Sequence, residues 1–80
     1  MLRASVSALR KLQHRRIVGL TIRNFRNKAR MSIEQLAEKA DLHPNYVGEV
    51  ERGEKAASID TLVKLGHGLA VSPSKFLAKL

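Results

Sequence analysis

The run Ser32-Ile33-Glu34-Gln35 constrains this chain most, because it fixes where one helix begins. Ser32 can accept from the backbone N–H of Gln35 while Gln35 reaches back to the N–H of Ser32, the reciprocal arrangement of a capping box. Leu36, Ala37 and Ala40 then supply the buried side of a helix of only about two turns, and at Asp41 the chain must leave it in a left-handed turn. Glycine is usual there and aspartate is among the few substitutes. His43-Pro44 opens the next helix, because proline at the first helical position gives up an N–H that would be unpaired anyway. His43 itself is not a favoured N-cap. Val47 and Val50 point inward and Gly53 stops this second short helix.

The same signals recur on both sides. Val18, Ile22, Phe25 and Ala29 form an apolar stripe on a first helix. Ser58 caps a fourth, with Asp60 favourably placed near its N-terminus and Ile59, Leu62, Leu65 and Leu69 on one face. Gly66 and Gly68 weaken that helix, which reads either as close helix packing or as local softness. Ser72-Pro73 starts a last helix with Phe76, Leu77 and Leu80 on its apolar side. No strand alternation and no repeat interrupts the pattern. The expected fold is all-α, with helices at about 16–29, 32–40, 43–52, 58–69 and 72–79 in a domain over residues 16–80. A basic leader, residues 1–15, is either disordered or extends the first helix.

Charge is distributed unevenly. The 80 residues carry a net charge of +8, yet nine basic side chains and no acid lie in residues 1–30 (Arg3, Arg10, Lys11, Arg15, Arg16, Arg23, Arg26, Lys28, Arg30). Residues 31–80 sum to −1. A small, strongly basic domain takes a polyanion as its default partner. The absence of cysteine excludes a disulfide scaffold, a thiol nucleophile and zinc-finger spacing. No apolar run approaches the roughly 18–20 residues of a membrane span. His14, His43 and His67 are too scattered for a metal site, and no cofactor is expected. No nucleophile–base pair, paired acids or glycine-rich phosphate loop can be assembled, so the chain is not expected to be an enzyme.

Two short helices joined at Asp41-Leu42-His43 make a helix-turn-helix, in which the second helix enters the major groove by its N-terminal residues and the first crosses the backbone. Around that pair lie Arg26, Met31-Ser32-x-x-Gln35-Leu36-Ala37, Tyr46-Val47-x-x-Val50-Glu51-Arg52-Gly53, Ser58-x-x-Thr61-Leu62-x-x-Leu65 and Leu69-Ala70-Val71-Ser72. In these elements, from about residue 16 to residue 80, the chain resembles the Cro/C1 (Xre) helix-turn-helix regulators. Leu42-His43-x-x-Tyr46-Val47 followed by Glu51-Arg52-Gly53-Glu54-Lys55 is most similar to restriction–modification controller proteins. The resemblance implies a five-helix lambda-repressor-like DNA-binding domain.

It also implies roles for individual residues. The family's reading positions fall on His43, Pro44, Asn45, Tyr46 and Glu49. Asn45 can pair with adenine N6 and N7, and Glu49 can accept from cytosine N4 or stay solvated. Tyr46 can set its hydroxyl on a phosphate and its ring on a sugar or thymine methyl, or lie partly buried. His43 can meet a phosphate or a base. Pro44 offers no side-chain hydrogen bond, and Ile33 stands where the family often has a phosphate-touching glutamine. That leaves Ser32 and the backbone N–H groups at the start of the first short helix to hold a phosphate. Arg52 and Lys55 are further phosphate candidates, or solvated charges. Arg26 and Glu51 are expected to form a structural ion pair, and Phe76, Leu77 and Leu80 are candidates for a dimer contact.

The expected function is a sequence-specific, DNA-binding transcriptional regulator that binds a palindromic operator as a homodimer. Controlling its own promoter in a restriction–modification system is the specific form of that reading. An antitoxin-type module that also binds DNA is the alternative. Double-stranded DNA and a second copy of the chain are the expected partners, with RNA polymerase or a toxin left open as a protein partner. A cytoplasmic, bacterial nucleoid-associated location follows, and no membrane partner. The amphipathic spacing of Leu2, Val6, Leu9 and Leu12 among the leader's arginines also fits a targeting peptide or a membrane-surface helix. The second short helix, Pro44 to Arg52, itself sums to −1, so attraction to phosphate has to come from the first helix, the leader and Lys55.

Overall fold

Two serine hydroxyls and one imidazole nitrogen start the three short helices. The computed structural model describes residues 2–80, with side chains from Ala8 onward. Along it run α1 (Leu2–Lys28), α2 (Ile33–Ala40), α3 (Pro44–Glu51), α4 (Ile59–Leu69) and a 3-10 helix (Pro73–Leu77). Gln35 N–H donates to Ser32 Oγ at 3.0 Å and Ser32 N–H donates to Gln35 Oε1 at 2.8 Å, so the capping box of α2 is complete. Ser58 Oγ accepts from Thr61 N–H at 3.0 Å to start α4. His43 caps α3: its Nδ1 accepts the N–H of Asn45 at 3.1 Å. The sequence reading gave His43 no such role, because an imidazole is not among the usual short polar caps.

Left-handed residues end the helices. Asp41 has φ 56° and donates its N–H to the carbonyls of Ala37 and Glu38. Gly53 closes α3 at φ 75°, and Ala70 ends α4 at φ 57°. An alanine there carries a Cβ penalty of about 1–2 kcal/mol, which a glycine would not.

Val18 and Ile22 of α1, Leu36, Ala37 and Ala40 of α2, Val47 and Val50 of α3, and Leu62, Leu65 and Leu69 of α4 form the core together with Phe76. Where α1 crosses the end of α3, Gly19 allows a backbone approach that no side chain would permit. A Cβ there would collide with the Val50 carbonyl oxygen and lie 2.6 Å from that of Glu51. A Cβ on Gly66 would lie 2.7 Å from the Val71 oxygen, so glycine in α4 serves close packing.

Of the two courses open to the leader, the described residues follow the second: α1 is continuous over 27 residues, about 40 Å at 1.5 Å per residue, in a molecule 42 Å long. Two expectations need correction. The last element is a five-residue 3-10 helix and not an α-helix over 72–79. An i to i+3 bond from Lys75 N–H to the Ser72 carbonyl opens it and another from Leu80 N–H to the Leu77 carbonyl follows it, and such tight turns rarely propagate. Ile59 is 79% exposed and faces away from the Leu62–Leu65–Leu69 stripe. Leu9 and Leu12 are exposed on α1, while the side chains of Leu2 and Val6, read with them as one apolar spacing, lie outside the described residues, as does that of Arg3.

Candidate nucleic-acid interface

The angle between α2 and α3 is held from behind by Arg26. Its Nε donates to Glu51 Oε2 at 2.7 Å, its Nη2 to Glu51 Oε1 at 3.0 Å and its Nη1 to the Met31 carbonyl at 2.9 Å. One guanidinium therefore ties α1 to the end of α3 and to the turn that enters α2. The two side chains are 11% and 3% exposed. The hydrogen bond with Glu51 raises the Arg26 pKa above its ordinary value against the opposing effect of burial.

In front, Ile33 and Glu34 of α2 line a shallow groove with Pro44, Asn45, Gly48, Glu49 and Arg52. Asn45, Glu49 and Arg52 fall four and then three residues apart, so they share one face of α3 and its C-cap. Asn45 is exposed. Arg52 lies back across Gly48, its Nη1 3.0 Å from where a Cβ would stand. Ser32 uses its oxygen lone pair in the cap, which leaves its own hydroxyl hydrogen free at an exposed helix start.

The two basic phosphate candidates at the end of α3, Arg52 and Lys55, already hold a carboxylate. Arg52 Nε donates to Glu54 Oε2 at 2.7 Å, and Lys55 Nζ lies 3.6 Å from Glu49 Oε1. The hydrogen bond from Arg52 lowers the Glu54 pKa and raises that of Arg52. The sequence reading did not see Glu54 as a partner, although Arg52 stands only two residues before it.

The Tyr46 hydroxyl is held within the chain. Ser58 Oγ donates to Thr61 Oγ1 at 2.9 Å, Thr61 Oγ1 meets Tyr46 Oη at 3.0 Å, and Tyr46 Oη lies 3.4 Å from the Ala56 carbonyl. The half-buried ring packs on the core, and its hydroxyl joins α3 to the start of α4. His43 likewise spends Nδ1 on its cap and has only Nε2 to offer a ligand.

The dimer candidates also separate. Phe76 is fully buried within its own chain and meets Phe25 edge-on, with ring centroids 5.8 Å apart. It belongs to the core and has no surface for a second copy. Leu77 and Leu80 are exposed. Ile59 and Val63, one turn apart on α4, are exposed as well. The spacing that could have revealed them is 59 to 63, which puts the pair on the flank of α4 and not in its buried arc.

A helix-turn-helix family model, HTH_3, matches residues 22–76, and the chain belongs to that family of Cro/C1-type DNA-binding regulators. Within it the chain is similar to restriction–modification control proteins. It is 40% identical to control protein C.SmaI of Serratia marcescens over 63 residues, 79% of this chain and 75% of that one. It is 38% identical to C.BamHI of Bacillus amyloliquefaciens over 64 residues, 79% of each. The crystal structure of the controller protein C.AhdI from Aeromonas hydrophila superposes with a TM-score of 0.76 at 32% identity, covering 78% of this chain and 94% of that one. No helix among the described residues is long and apolar enough to cross a membrane.

Proposed function

We propose that this chain is a homodimeric controller of a restriction–modification system, binding a palindromic operator in its own promoter from a cytoplasmic, nucleoid-associated pool. The observation that carries the reading is the exposed face of Asn45, Glu49 and Arg52, held at a fixed angle by Arg26 and Glu51. This face lies in a chain similar over most of its length to named control proteins. Asn45 reads adenine through its amide and Glu49 accepts from cytosine. Ser32, Arg52 and Lys55 meet phosphates, the last two after parting from their carboxylates.

Two copies set their recognition helices about 34–36 Å apart, one turn of B-DNA. Leu77 and Leu80, with Ile59 and Val63 added, supply the apolar surface between them. Footprinting on the DNA upstream of the chain's own gene tests the assignment. Protection of two inverted half-sites one helical turn apart is expected. Protection without symmetry, or none, would overturn it.

A further inference from the structure

Arg15 and Lys55 come from distant parts of the chain and line one recess. His14 sits beside them over a floor of Val18, Val50 and Leu62, and Leu77 lines the side of the recess that adjoins the proposed dimer surface. No carboxylate lines this recess, and the first acidic residue of the chain is Glu34, so α1 has none. Arg10 and Lys11, both exposed, lie one turn further out on the same side of α1, at helical positions that adjoin His14 and Arg15. Leu9 and Leu20 are exposed on the opposite side of the helix, and Leu12 lies between the two sides, three residues before Arg15. The basic ledge therefore faces the edge of the domain where α3 ends. Its α1 residues stand outside residues 22–76, which carry the family match, while Lys55 lies within them.

We propose that Arg10, Lys11 and Arg15, together with Lys55, form a second nucleic-acid contact that grips the sugar–phosphate backbone of the duplex flanking the bases read by α3. This rests on the DNA-binding reading above and adds the part of the ligand that this ledge takes. Three features favour a duplex backbone. The charges converge from two elements on the edge where the recognition helix ends. They are repeated along one unbroken helix, as phosphates are along a groove. They also face away from Leu9 and Leu20, so a lipid surface seated on those two leucines would meet neither Arg15 nor Lys55. The contact carries no sequence information and sets affinity and register only.

The test is a triple substitution in the full chain, Arg10→Gln with Lys11→Gln and Arg15→Gln. Its affinity is measured across a salt series for a duplex selected from a random pool and for a scrambled duplex of equal length. Each lost phosphate contact removes about 0.9 from the log–log salt slope. The slope should therefore fall by about 2 to 3 on both duplexes, with the ratio of their affinities unchanged. Unchanged helicity and melting show that the variant is folded, and Arg10→Lys with Arg15→Lys should retain the slope.

An unaltered slope overturns the proposal, and so does a loss confined to the selected duplex. Loss of binding to phosphatidylglycerol vesicles with the DNA slope intact also overturns it and assigns the ledge to membranes. If the wild-type chain prefers no duplex over the scrambled one, the regulator reading fails, while the slope on scrambled DNA still decides the ledge. A wild-type chain with no DNA affinity overturns both.

Discussion

Arg26 and Glu51 meet in a two-point ion pair, Nε to Oε2 at 2.7 Å and Nη2 to Oε1 at 3.0 Å, across the crossing of α1 and α3. Glu51→Ala leaves the guanidinium nearly buried and without its carboxylate. Breaking a buried pair from one side costs about 3–5 kcal/mol, and in a domain of this size each kcal/mol moves Tm by about 4–8 °C. A fall in Tm of more than about 10 °C is expected by circular dichroism, with the ratio of specific to non-specific DNA affinity retained below the new melting range. A melting curve that overlays the wild type would sink this assignment.

Tyr46→Phe separates packing from reading. The ring stays on the core, while the Thr61 hydroxyl loses a partner and the link from α3 to α4 is cut. The expected cost is about 0.5–1.5 kcal/mol of stability. Base preference in a selection from random DNA should not change, because the hydroxyl faces Thr61 and Ala56 and not the groove.

Glu54→Gln should strengthen binding to DNA of any sequence. The guanidinium of Arg52 then has no carboxylate to leave, so its phosphate contact forms at lower cost, and affinity should rise alike on selected and scrambled duplexes. The pair also has a definite sign in acid. Because Arg52 lowers the Glu54 pKa, whatever stability the pair lends is present above the ordinary glutamate range. It is lost as pH falls through the lower folded value. Urea titrations at descending pH should show that step in the wild type and not in Glu54→Gln.

Phe76→Ala and Leu77→Ser should fail in different ways. The first opens a cavity beneath Phe25 and costs about 3–5 kcal/mol, seen as a fall in Tm. The second alters an exposed side chain and should leave the fold intact while weakening self-association in sedimentation experiments. A Phe76→Ala chain that melts normally but is monomeric would reverse the two assignments.

What the sequence reveals divides along a physical line. The starts and ends of α2 and α4 are legible because Ser32, Gln35, Asp41 and Ser58 act on backbone groups within a few residues. Periodicity identifies Leu36, Val47 and Leu65 as inward-facing for the same local reason. Ile59 and Phe76 are misread because both are apolar and correctly spaced. Only the position of the neighbouring helices decides which edge of α4 is covered, and whether the ring of the last turn reaches Phe25. Tyr46 and Thr61 are fifteen positions apart and share no pattern, so their hydroxyl pair is invisible before folding. At the candidate interface the residue types were legible, and their intramolecular partners were not. Nor did pattern reading foresee that His43 would cap α3.

Residues 2–18 contain neither glycine nor proline, and α1 runs through them without a break. The leader is therefore a stiff spoke and not a tether. From Arg16 back to Leu2 its axis rises about 21 Å, close to six base-pair steps of a duplex with 3.4 Å spacing. A flexible arm can search for a surface and wrap it, whereas a spoke can touch only what lies at its own length and bearing. Its bearing is set at the root, where Gly19 lies against the end of α3.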